Sequence, residues 1–200
     1  IIMRQTSDSI RCVYDESGYY VLNSILVFKK NSERYSYKYI AAVLNSTLTD
    51  YLYKKLTQEE GRTFAEVKPA NVRKLYIPKA TREEQDLLSI LYDYLVFLKN
   101  PNQTDSFVSL NSMFIDLFEK IIDGCVYELL FREHMKEREI DIMSYLYQQI
   151  KPIEGLSDQD KNNIIISVHS NIFMTDNPAR ARLKLFVSRS PEYLKPIIQH

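Results

Sequence analysis

The period of the apolar residues changes once along this chain, and that change limits the possible folds more than any other feature. Residues 1–30 alternate as strands do: "SIRCVYD" and "GYYVLNSILVFKK" are rich in Val, Ile and Tyr, and "DESG" separates them. Alternation at period two marks a half-buried strand, and Asp-Glu-Ser-Gly is turn chemistry, so the spacing predicts a β-hairpin. A polar loop, "NSERYS", follows. From residue 37 the period lengthens. Ile40, Val43, Leu44, Leu48, Tyr51, Leu52 and Leu56 recur at steps of three and four, which predicts one helix over 37–56.

The longer period then persists. Thr81 and Glu84 have the spacing of a capping box. Leu87, Leu88, Leu91, Tyr94, Leu95 and Leu98 carry a helical stripe from there to about Lys99. "NPNQTDS" at 100–106 reads as a linker and predicts a subdomain boundary. Further helices are expected over 106–134, over 137–150 and from Ser157 to about Phe173, with "TDNPARAR" as punctuation before a mixed tail. The expected fold class is α+β: a small mixed β-sheet subdomain with packed helices over 1–99, then a mainly α-helical part of unknown role over 100–200.

Composition excludes several functions. With 4 glycines in 200 residues, glycine-rich phosphate loops have almost no room. No apolar run reaches the roughly 20 residues that a membrane helix needs, and no signal peptide is visible, so no membrane partner is expected. The opening "IIMRQTSDSI" reads as the middle of a strand, and the chain is expected to be a piece of a longer protein. Cys12 and Cys125 have no metal-type spacing and suit buried free thiols in a reducing, cytoplasmic compartment. Net charge is zero but uneven. Residues 1–82 hold 14 Lys and Arg against 8 Asp and Glu, a balance of +6, so residues 83–200 hold the remaining 12 against 18, a balance of −6. Either an anionic partner meets the first part or the two parts attract each other.

Catalytic patterns are missing. There is no Walker loop, GxGxxG, GxSxG or HExxH. His134 and Glu137 share a helical face, but two ligands within "REHMKERE" fit a solvated ion-pair face better than a metal site. Glu66-Val67-Lys68 matches half of a nuclease metal pattern, and no Pro-Asp dipeptide supplies the other half. Asp176-Asn177-Pro178 begins like the loop with which amino-methyltransferases grip a flipped base, but Ala179 stands where the second proline belongs. The chain is therefore read as non-catalytic, with no metal and no cofactor of its own.

One stretch remains to be explained, "GRTFAEVKPANVRKLYIP" at 61–78, which concentrates Arg62, Thr63, Lys68, Asn71, Arg73 and Lys74 before an apolar run ending in proline. Together with "Ile2-Met3-Arg4-Gln5-Thr6", "Tyr20-Val21-Leu22-Asn23-Ser24" and "Tyr39-Ile40-Ala41-Ala42-Val43-Leu44-Asn45-Ser46", it resembles, in order and spacing over residues 1–98, the TaqI-like C-terminal specificity domain. That is the target-recognition module of adenine-specific DNA methyltransferases and of fused type IIG restriction–modification enzymes. The resemblance implies a double-stranded DNA partner. It also implies an S-adenosylmethionine-dependent adenine methyltransferase domain elsewhere in the parent protein, which in the fused enzymes is joined to a nuclease.

Recognition of DNA needs cations for phosphates and hydrogen-bonding side chains for base edges. The residues of the right type are Arg4, Gln5 and Thr6, Lys54 and Lys55 at the end of the first helix, and Arg62, Thr63, Lys68 and Arg73. "KLYIP" is expected to return the chain to the sheet, with Phe64 and Tyr76 in the core and Asn45 and Ser46 bonded to backbone. Two other readings stay open: a protein–protein docking or scaffold module using the acidic helical part, and a type I specificity-subunit-like fragment.

Overall fold

A computed structural model describes residues 1–18, 20–57, 65–100 and 108–199, the side chains of 108–110 excepted. Its elements in chain order are strands β1 (Ile2–Arg4), β2 (Cys12–Val13) and β3 (Ile25–Val27), then helices α1 (Tyr37–Leu44), α2 (Thr47–Thr57), α3 (Pro69–Val72), α4 (Arg82–Leu98), α5 (Val108–Leu130), α6 (Arg132–Glu137), α7 (Met143–Leu146), α8 (Asp158–Phe173), α9 (Pro178–Arg189) and α10 (Leu194–Ile198). The fold is α+β. Among the described residues the sheet is antiparallel throughout, in the order β2-β1-β3, rather than mixed.

That order corrects the predicted hairpin. β2 and β3 do not pair with each other across "DESG". Both pair with β1, with Ile2 opposite Val13 on one side and Val27 on the other. β3 also starts late: Tyr20 to Ser24 precede it, and the Ile25 N–H turns back to the Leu22 carbonyl at 3.0 Å. Alternation predicts that a strand is half-buried but not which strand it joins. The same parity then puts Met3, Cys12 and Leu26 toward the core, and Ile2, Arg4 and Val13 outward.

The helix expected over 37–56 is two helices. Asn45 ends α1, where its side-chain carbonyl accepts the Cys12 N–H at 3.0 Å and its amide donates to the Cys12 and Ala41 carbonyls at 2.8 and 2.9 Å. Ser46 and Thr49 hydroxyls each donate to the Val43 carbonyl at 2.7 Å. Short polar side chains thus take over backbone bonds that a continuous helix needs. The expectation that Asn45 and Ser46 bond backbone is met.

In the second part, α4 begins at the expected capping box: the Thr81 hydroxyl accepts from the Glu84 N–H, and the Glu84 carboxylate accepts from the Thr81 N–H at 2.7 Å. α8 starts at Ser157 as expected. The helix expected over 137–150 is mostly absent. α6 stops at Glu137, Glu139 takes a left-handed conformation (φ 53°), and the buried Glu128 carboxylate captures the Ile142 and Met143 N–H groups at 2.6 and 2.9 Å. The expected mixed tail is instead helix α9, because the Asn177 side chain accepts the Ala179 and Arg180 N–H groups and Pro178 occupies the first turn.

One cluster of buried side chains runs from Ile1 to Ile197, and α4 packs against both α1 and α5. The boundary expected at 100–106 lies, Asn100 apart, outside the described residues.

Candidate nucleic-acid interface

The first half of the chain gathers its polar segments around Tyr53. This ring is fully buried on α2, and its hydroxyl donates to the Glu66 carbonyl at 3.4 Å and accepts the Lys68 N–H at 3.2 Å. Thr6 and Glu66 form an antiparallel bridge, and the Val67 N–H donates to the Gln5 carbonyl at 2.7 Å. Residues 4–6, 65–68 and the end of α2 are therefore brought together from three separate places in the sequence. Gly61, Arg62, Thr63 and Phe64 lie outside the described residues.

The individual side chains differ. Arg4, Thr6, Lys55, Lys68 and Arg73 are exposed, while Gln5 is half-buried. Lys54 bends back to Asp50 at 3.0 Å, and the Lys55 ammonium sits 5.4 Å from the centroid of the Tyr51 ring. Both lysines fall in the last turn of α2, where cations favour the negative end of the helix dipole. Lys68 precedes α3 and Arg73 ends it.

Two expectations about this region change. "KLYIP" does not return to the sheet. The Leu75 N–H bonds the Val72 carbonyl at 3.1 Å, and the Pro78 carbonyl accepts the buried Tyr39 hydroxyl at 2.8 Å, so the segment is anchored to α1. The link to the sheet is made earlier, at Glu66 and Val67. Tyr76, expected in the core, is 56% exposed.

Beside this region lies a cleft of about 1020 Å³, with β1 and β2 on one wall and α2, α4 and α5 on the other. Arg4 and Arg11 stand on the sheet wall; Asp50, Lys99, Glu119 and Asp123 stand on the helix wall. Asp123 accepts the Thr47 N–H at 2.7 Å and the Thr47 hydroxyl at 2.5 Å, capping α2 from α5. Burial pushes its carboxyl up to about 6; the Thr47 bonds pull the other way, and the Glu119 charge adds to the rise. Burial also pushes the Cys12 thiol up to about 12 and the Cys125 thiol well above its usual value, so both remain protonated at neutral pH.

Sequence reasoning missed Arg11, Tyr53 and Asp123. For Arg11 a signal existed: it shares the outward parity of Val13 in "SIRCVYD". Tyr53 lies outside the apolar stripe of 37–56, and no local pattern marks Asp123 among the charges of α5. The weak metal idea at His134 has another explanation, since its Nε2 meets the Ser190 hydroxyl at 2.8 Å. Among the described residues no group of three His, Cys, Asp or Glu could hold a metal ion, and no helix is long and apolar enough to cross a membrane.

No curated protein and no solved structure matches the chain. Residues 1–77, which hold the whole sheet, α1 to α3 and every candidate DNA contact named above, match the family model of the TaqI-like C-terminal specificity domain.

Proposed function

We propose that this chain is the DNA-recognition module of a restriction–modification enzyme and has no catalytic role of its own. In this reading it positions an adenine-N6 methyltransferase domain of the same protein, of type II or IIG organisation, on double-stranded DNA. That domain holds S-adenosylmethionine, and a nuclease can share the same address. The expected compartment is the cytoplasm, where the target DNA is.

The observation that carries the proposal is the convergence around Tyr53. Three sequence segments, each supplying residues suited to phosphates or base edges, meet on one rigid base, and they lie within the residues that match a specificity domain. Charge supports it. Among the described residues, and apart from the local Arg82–Asp86 pair, Lys38 is the cation of the basic part that pairs with the acidic part, at 2.9 Å from Asp93 and 3.4 Å from Glu154. Other cations of the basic part, Arg4, Lys55 and Arg73 among them, stand exposed where an anionic partner can reach them.

Fluorescence anisotropy with a random-sequence duplex over a salt series tests this. Binding should weaken by about 0.9 log unit per log unit of salt for each phosphate held. Lys68→Ala with Arg73→Ala should weaken it further and flatten the slope. Binding insensitive to salt, or absent from folded protein at low salt, would favour the docking reading.

A further inference from the structure

Beside Arg4 the sheet end carries a second arginine, Arg11. The β1–β2 register sets Ile2 against Val13 and Met3 against Cys12, and one further step sets Arg4 against Arg11. The Arg4 N–H donates to the Arg11 carbonyl at 3.2 Å, which confirms that step. Both side chains are exposed, on the face away from the buried Met3. Directly opposed residues of an antiparallel pair have Cβ atoms about 5 Å apart, and like charges in that position repel. Two arginine side chains thus leave the sheet from opposed positions at the rim of the cleft.

The carboxylates across the cleft do not relieve this repulsion. Asp50 is engaged by Lys54 at 3.0 Å, Glu119 by Lys99 at 2.5 Å, and Asp123 by Thr47. Among the described residues neither Arg4 nor Arg11 has an ion-pair or hydrogen-bond partner for its guanidinium. Ile25 flanks Arg4 on its other side and offers no charge. An unrelieved cationic pair beside an apolar row of Ile2, Val13 and Val27 is an arrangement that one doubly contacted anion completes.

We infer that Arg4 and Arg11 act as one unit that grips a single phosphate, and that Arg4 therefore fixes the position of the nucleic acid rather than reading a guanine edge. This rests on the DNA-recognition reading for the source of the phosphate, but not for the site itself. A phosphodiester of duplex DNA and a free phosphate share the necessary chemistry.

Two measurements on the whole chain test it. In the first, thermal unfolding is followed in inorganic phosphate and in chloride at equal ionic strength, for the wild type, Arg4→Ala and Arg11→Ala. Phosphate should raise the wild-type midpoint above that in chloride by more than its general stabilising effect, and either substitution alone should remove that excess. At low salt each variant should melt no lower than the wild type, because a repulsion is removed. An equal phosphate effect in all three proteins overturns the site.

In the second, duplex binding is compared for the wild type, both single variants and the double variant. Each single variant should lower the salt slope by about 0.9, one phosphate's share, on any sequence. The double variant should lose little more than either single one. Additive losses, or losses confined to one target sequence, overturn the shared phosphate. Expected behaviour in the first measurement without duplex binding by the wild type would sink the proposed function while leaving the arginine pair as a site for another phosphate-bearing ligand.

Discussion

Single residues in this protein work by holding the backbone of distant segments. Asn45 is bonded to both the N–H and the carbonyl of Cys12, as a neighbouring strand would be. Tyr53 does the same for residues 66–68. Tyr53→Phe removes the hydroxyl and with it the bonds to the Glu66 carbonyl and the Lys68 N–H, which should destabilise the fold by about 1–3 kcal/mol and weaken DNA binding by displacing Lys68. Unchanged stability in urea would show that the segment is held by the Thr6–Glu66 bridge alone. Asp123 gives a pH signature. Its folded value, about 6, lies above the ordinary 3.8, so ionisation disfavours the fold above pH 6. Its contribution should recover as pH falls through 6 toward 4. His169, pushed below 6.5 by burial, acts in the opposite sense as pH drops below that value. The comparison to make is therefore between proteins: the wild type should gain melting temperature relative to Asp123→Asn between pH 7.5 and 5. Parallel curves would show that Asp123 does not titrate in this range.

At the scale of elements, packing explains where helices stop and how closely they approach. Gly124 lies in the middle of α5, where a Cβ would stand 2.6 Å from the Ile142 methyl and 3.0 Å from the Phe186 ring. Its role is steric: it lets α9 and the turn before α7 approach α5. Gly124→Ala brings a helix-propensity gain of up to about 1 kcal/mol, but overpacking typically costs about 1–3 kcal/mol. The variant should be destabilised overall, and a higher midpoint in chemical denaturation would show that Ile142 moves aside freely. The start of α4 is a separate test, because its capping box is local. Thr81→Ala should cost about 1 kcal/mol with no change in DNA binding.

For the whole molecule, the sheet end and the helical part share one apolar cluster, and α4 packs on both α1 and α5. Urea unfolding followed by fluorescence of the 15 tyrosines and by circular dichroism should therefore give one coincident transition. Two separated transitions would show that residues 1–99 and 100–200 are stable apart.

By itself the sequence determined what local chemistry determines. The change of apolar period placed the strands before the helices, the Thr81–Glu84 and Ser157 caps started α4 and α8, and the cation-rich stretch at 61–78 marked the region of interest. Each depends on residues within a few positions of one another. Tertiary structure decided which strand pairs with which, since β2-β1-β3 requires contacts that alternation does not encode. It also decided where helices break. Asn45 and Glu128 end or interrupt helices through bonds to residues 33 and 14 or 15 positions away, and no window on the sequence contains both partners. The pairing of Arg4 with Arg11 belongs to the same class. Strand register, a property of the folded sheet, puts the two charges side by side.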